Sequence, residues 1–378
     1  MSKRNPTRSV RIGTVFIGSS HPIVLQSMCA TKTTDVEATA ATCERLRLAG
    51  AGVVRVAVDS PNDADALKII RTKTTANLSV DLQENYRLAE AVAPHVDKIR
   101  YNPGHLHHVE PNVPWQKKVE RLAEIARQHS CALRVGVNCG SLDPSLKSLH
   151  DDPMLASALT HAEFLDSLGF DQFCVSIKSS SSEEVVLANR TFAKMRPDIP
   201  LHLGVTEAGL PPEGVVRTRL ALEPLLAEGI GDTLRVSLTV PNDRKSEEIA
   251  AGQLILNNVA KNTIISPDDY RTEMIEIICC PSCARVQNER FVALAEEVRA
   301  AMVSLRGRID RPLKIAVMGC RVNGPGETDN ADWGLWCGPN AVNLKRGPEL
   351  VGAFGYDDIV ATLLAKIAES RGLCPRAL

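Results

Sequence analysis

Eight short, apolar, β-branched runs recur along the first two thirds of the chain, and their alternation with helix-like segments limits the architecture more than any other feature. They are PIVLQSM (22–28), VVRVAV (53–58), LSVDL (78–82), KIRYN (98–102), LRVGVN (133–138), FCVSIK (173–178), HLGVTE (202–207) and TLRVSL (233–238). The stretches between them, such as DVEATAATCERLRLAG and SALTHAEFLDSLG, carry apolar residues at helical spacing and end in glycine, the usual C-terminal stop of a helix. Eight strands alternating with helices over about 240 residues predict an α/β fold of the (β/α)8, TIM-barrel type, with a doubly wound sheet as competitor. The segment PNDRKSEEIAAGQLILNNVAKN (241–262) turns polar and then helical, which sets the expected barrel at 1–262 and a smaller α/β unit at 263–378. In that second unit the sequence predicts strands at IEIICC (275–280) and KIAVMG (314–319), a helix over 286–305, a glycine-rich loop and a closing helix over 357–370.

The charge balance, 44 basic against 45 acidic residues for a net −1, gives no global attraction to nucleic acid or to an anionic membrane, so any polyanion must be met by a local cluster. The basic start MSKRNPTRS is followed by no apolar stretch, and no run of 18 apolar residues occurs. The expectation is a cytoplasmic protein without membrane or nucleic-acid partners. Eleven cysteines in a chain of this length then read as buried thiols plus a metal or cluster site rather than as a disulfide framework.

Barrel active sites lie at the C-terminal ends of the strands, and here those ends are polar and basic: Gln26, Ser27, Arg55, Asp81, Lys98, Arg100, Asn102, Arg134, Asn138, Ser176, Lys178, Thr206, Glu207, Arg235 and Ser237. Such a rim repels itself unless a multiply charged anion neutralises it, and arginine forks match phosphate oxygens in bidentate fashion. A diphosphate fits; pairing of each base with a neighbouring carboxylate is the alternative. Lys178 also reads as a Schiff-base nucleophile, since crowding by cations lowers a lysine's pKa. Glu207 is a carboxylate among cations, either a proton donor or the structural partner of an arginine. His105, His107 and His108 follow a Pro-Gly turn, where solvated loop histidines are the ordinary case. No dinucleotide fingerprint or phosphate-cradling P-loop is present.

Cysteine forms the second constellation. Cys280 and Cys283 make a C-P-S-C, and Cys320 follows in MGCRVNGPGE at the end of a strand-like run. Three thiolates with a weaker fourth ligand suit a [4Fe-4S] cluster with one exchangeable position, while zinc, a redox dithiol or inert thiols remain open on spacing alone. Candidates for the fourth ligand are Cys279, Cys337 and Glu327.

Taken in order, PIVLQSM with TTDVEAT, AGAGVVRV, DKIRYNPG, RVGVNCGSL, LHLGVTEAG, GIGDTLRVSLT, CPSC and VMGCRVNGPGE resemble the 4-hydroxy-3-methylbut-2-enyl diphosphate synthases. The resemblance implies a barrel joined to a domain that holds a [4Fe-4S] cluster on Cys280, Cys283, Cys320 and Glu327. It implies reductive ring-opening and dehydroxylation of 2-C-methyl-D-erythritol 2,4-cyclodiphosphate, in isoprenoid precursor synthesis, with electrons from reduced flavodoxin or ferredoxin. It implies a homodimer in which each barrel is capped by the other subunit's cluster domain. The residues expected to hold the substrate are Arg55, Arg100, Asn102, Arg134, Asn138, Lys178, Arg235 and Ser237, with Glu207 and Glu327 in catalysis. Three departures stand out: Gln83 where many relatives carry histidine, Ala284 where glycine is common, and Cys337 in WCGPN. The alternatives from other classes are a zinc-stabilised barrel transferase similar to pteroate synthase and a non-catalytic cluster carrier.

Overall fold

The structure, a computed structural model, describes residues 4–83, 85–143, 152–266, 274–305, 307–320, 322 and 324–373. An N-terminal hairpin, β1 (Val10–Ile12) with β2 (Val15–Ile17), precedes eight parallel strands: β3 (Val24–Met28), β4 (Val53–Ala57), β5 (Leu78–Leu82), β6 (Lys98–Tyr101), β7 (Ala132–Asn138), β8 (Phe173–Lys178), β9 (His202–Leu203) and β10 (Thr233–Leu234). Their order is β8-β7-β6-β5-β4-β3-β10-β9, and a parallel bridge between Val175 and Leu201 brings the two ends together. The barrel expected from the alternation is therefore present. β9 and β10 are shorter than the runs that predict them, since ladder pairing stops after two residues in each and the chain turns to a left-handed Glu207 (φ 49°).

Helices cover the outside of the barrel, and the outward faces of the strands, Val54, Val56, Val80, Ile99, Leu133 and Val135 among them, join their apolar faces in one core. Burial of that surface is the main stabilising term. The N-terminal hairpin closes the bottom, where Val10, Ile12 and Ile17 pack on Val53, Ala132 and Cys174. The lumen differs from the usual filling of branched apolar residues. Lys98 and Arg134 are among the largest fully buried side chains, and Lys98 Nζ donates to Gln26 Oε1 at 2.7 Å.

The second unit is a five-stranded mixed sheet, β11 (Ile275–Cys279), β12 (Leu313–Met318), β13 (Trp333–Cys337), β14 (Val342–Arg346) and β15 (Glu349–Phe354), in that order. β11 to β13 are parallel and β13 to β15 form an antiparallel meander. Helices Arg290–Met302 and Ile359–Arg371 pack on it through Phe291, Leu294, Val298, Leu363 and Ile367. The meander is absent from the sequence expectations given above.

The second unit lies over the mouth of the same chain's barrel. Cys279 N donates to Glu207 O at 3.1 Å, Thr239 Oγ1 reaches the carbonyls of Cys279 and Cys280 at 3.1 Å each, and Lys32 Nζ reaches Ala284 O at 2.8 Å. Within this chain, these polar contacts hold the cysteine loop over the barrel mouth.

Candidate active site

A cavity lies between the barrel mouth and the cysteine loops. Arg55, Arg100, Arg134, Asn138, Lys178, Arg235, Ser237 and Glu207 line it from the barrel, and Cys280, Cys283, Arg285 and Cys320 line it from the second unit. Asn102 stands apart from it. Its Oδ1 accepts from Gly104 N at 3.1 Å and its Nδ2 donates to Ser141 Oγ at 2.8 Å, so it secures the turn after β6.

Parallel strands bring the cations together because inward positions recur every second residue: Arg55 on β4, Arg100 on β6, Arg134 on β7 and Lys178 on β8. The carboxylates answer some of them. Asp81 accepts from Arg100 Nη1 at 2.9 Å and lies 3.9 Å from Arg55. Arg100 also donates to Gln83 Oε1 and, at 2.7 Å, to Gly136 O. Arg235 pairs with Glu248 at 3.3 Å, which also receives Lys245 at 3.0 Å and Ser27 Oγ at 2.7 Å. Arg134 and Lys178 have no ion pair among the described residues, so local pairing accounts for part of the rim and leaves a net positive cavity.

The titration behaviour follows. Burial, then the charges of Arg134, Arg55, Arg235 and Arg100, hold Lys178 well below the usual lysine range. Burial together with Arg100 brings Arg134 down to about 10. Burial opposes ionisation of Asp81, but Arg100, Arg55 and Arg285 outweigh it and hold the carboxyl well below its ordinary value. Burial disfavours each of these charges, and a facing opposite charge offsets it for Asp81, whereas Arg134 and Lys178 have no such ion-paired partner among the described residues.

The cysteine loop enters from above. Cys280, Cys283 and Cys320 all line the cavity roof, so three soft donors from two loops meet there. Among the described residues no three His, Cys, Asp or Glu side chains grip a single ion. A cubane does not ask for that, because each of its cysteines binds a different iron, and the donor set fits such a cluster. Glu327, on the short helix Gly324–Asp329, faces the barrel: Ser180 Oγ donates to its Oε2 at 3.1 Å and Cys139 Sγ to its Oε1 at 3.6 Å. Burial and the nearby Glu207 charge raise its carboxyl to about 7. Cys337, on β13, is buried beside Tyr356 and is not among the residues lining the cavity. The histidines cluster on the rim, with the rings of His105 and His107 each 4.4 Å from that of His108, and Gln83 Nε2 lies 3.4 Å from His105 Nδ1.

Sequence reasoning missed Arg285, Ser180 and Cys139. Arg285 follows the C-P-S-C motif by two residues, and a cation beside soft anionic ligands was a readable signal; its partner, Asp59, directly follows the second apolar run.

Two family descriptions cover most of the chain, the GcpE TIM-barrel domain over residues 7–253 and the GcpE protein C-terminal domain over 276–369. The chain belongs to the GcpE family. Among curated GcpE-type relatives, the 4-hydroxy-3-methylbut-2-en-1-yl diphosphate synthase (flavodoxin) of Rhodopirellula baltica is 57% identical over 96% of this chain and 95% of its own length. The enzymes so named from Acinetobacter baumannii and Clostridium perfringens are 39% identical over 91% of this chain and 88% of theirs, and 37% over 97% and 99%. Yersinia pestis dihydropteroate synthase overlaps 67% of the GcpE-family chain and 98% of its own, at 11% identity and a TM-score of 0.48, too distant to bear on activity. Among the described residues no helix is long and apolar enough to cross a membrane.

Proposed function

We propose that this chain catalyses the reaction named for its relatives, forming 4-hydroxy-3-methylbut-2-en-1-yl diphosphate by reductive ring-opening and dehydroxylation of 2-C-methyl-D-erythritol 2,4-cyclodiphosphate. The observation that carries this reading is a single cavity with an under-neutralised cationic floor and a roof of three cysteines. In it, residues 1–262 bind substrate and 263–378 carry the redox centre. A [4Fe-4S] cluster on Cys280, Cys283 and Cys320, with Glu327 as the weaker fourth ligand, would supply the two electrons the reaction consumes, and reduced flavodoxin supplies them in turn, with ferredoxin as the other donor class.

The chain's own residues do the rest. Arg55, Arg100, Arg134, Lys178 and Arg235 bind the diphosphate, whose charge replaces the missing counter-ions. Asn138 and Ser237 orient it by hydrogen bonds, and Asn102 acts indirectly by fixing the loop after β6. Glu207, buried on the cavity wall, is placed to give a proton to the departing oxygen. Closure of the cysteine loop excludes water, which strengthens every charge interaction inside. A homodimer remains part of this proposal, with the contacts described above exchanged between two chains.

The test is anaerobic purification, assay of iron and acid-labile sulfide, and spectra with cyclodiphosphate and a reductant. About four irons per chain and a substrate-dependent spectral change support the reading; zinc without sulfide refutes it.

A further inference from the structure

The cysteine loop sends one cation back into the barrel. Arg285 is buried, with Nε 2.7 Å from Asp59 Oδ2 and Nη2 2.7 Å from Asp59 Oδ1, a planar fork seated on a planar carboxylate. The seat on Asp59 aims the third nitrogen, Nη1, at Asp81 Oδ2, 3.2 Å away, while Nη2 also meets Asp81 O at 3.1 Å.

Both carboxylate oxygens of Asp81 are then engaged, Oδ1 by Arg100 and Oδ2 by Arg285. Arg55 is the cation left over. It stands 3.9 Å from Asp81 Oδ2, and the acceptor its Nε and Nη2 meet is the Met28 thioether, at 3.1 and 2.9 Å. Sulfur in a thioether accepts weakly, and a buried cation without a close anion is held unfavourably. With Arg285 withdrawn, Asp81 Oδ2 would lose that partner while Arg55 stands 3.9 Å away.

We propose that Arg285 is a positioning residue: by occupying Asp81 when the cysteine loop closes, it frees Arg55 to bind the substrate's diphosphate. Substrate grip and closure are then one linked event. By reciprocity an anion on Arg55 leaves Asp81 open to Arg285 and favours the closed arrangement. This rests on the reading of the barrel mouth as a diphosphate site.

The test is a double-mutant cycle read by calorimetric binding of 2-C-methyl-D-erythritol 2,4-cyclodiphosphate to the holoenzyme without reductant. Its members are the wild type, Asp59→Asn, Arg55→Lys and the double variant, with iron and sulfide assayed in each. Asp59→Asn should weaken binding about tenfold in the wild-type background and less than about twofold in the Arg55→Lys background. In turnover it should raise KM and leave kcat within about twofold, a split that a loss of general packing would not produce. Equal weakening in both backgrounds, or none in either, overturns the coupling. If Asp59→Asn loses the cluster, Arg285→Lys, which keeps the charge but not the fork, carries the same two expectations. Failure of the wild type itself to bind overturns the diphosphate reading and this inference with it.

Discussion

At the scale of single residues, the barrel lumen is a set of charges arranged for something that must arrive. Lys178 is buried among arginines with no carboxylate bonded to it among the described residues. Lys178→Met should therefore act in opposite directions on two measurements: cyclodiphosphate binding by calorimetry falls at least tenfold, on the order expected for a desolvated charge pair, while the ligand-free protein melts at a higher temperature. A variant that loses both affinity and melting temperature would point to an unrecognised anionic partner. Lys98 lies deeper, and burial brings its ammonium down to about 7. The folded state thus holds this proton less tightly than the unfolded chain, whose lysine titrates near 10.5. Between those values the unfolded chain binds more protons, so stability rises with pH; below about pH 7 the whole penalty is present. Lys98→Met removes the penalty, so its stability advantage should be largest at about pH 6, on the order of a few kcal/mol, and shrink towards pH 10. Denaturant unfolding across that range checks it, and a difference that stays flat with pH contradicts it.

Among elements, the short helix Gly324–Asp329 meets the turn after β7 at unusually close range. A Cβ on Gly326 would lie 2.4 Å from Gly140 O. Gly326→Ala should cost about tenfold or more in kcat/KM through misplacement of Glu327, with the thermal melt little changed, because alanine is the better helix former; normal turnover would show that this contact yields. The element scale also shows what a reader of the sequence could see. All eight barrel strands announce themselves, since a strand buried on both faces must be a short apolar run, and the charges interrupting those runs, Arg55, Arg100, Arg134, Lys178 and Arg235, mark the cavity wall. The meander β13 to β15 did not. Its strands mix Trp, Gly, Lys and Asn, and β15 is largely exposed at the sheet edge, so no period of two survives to be read. Arg285 carried a signal in its place beside the C-P-S-C motif, but its partners Asp59 and Asp81, more than 200 residues away, were not legible. Asn102 misled for a related reason: a strand-end position looks the same whether its side chain turns to the cavity or back to its own loop.

For the whole molecule, the two ends of the barrel are unlike. The hairpin β1–β2 seals the lower end with Val10, Ile12 and Ile17 packed on strand residues, while the upper end opens beneath the cysteine loop. Among the described residues the lower end is closed, so traffic uses the upper end, beneath the cysteine loop. Exit past the cysteine loop then calls for the second unit to move. Motion of a body that size against solvent is governed by drag. Added sucrose or glycerol should therefore slow kcat nearly in proportion to the medium's viscosity with saturating reductant, and a kcat indifferent to viscosity would place the slow step inside the closed cavity instead.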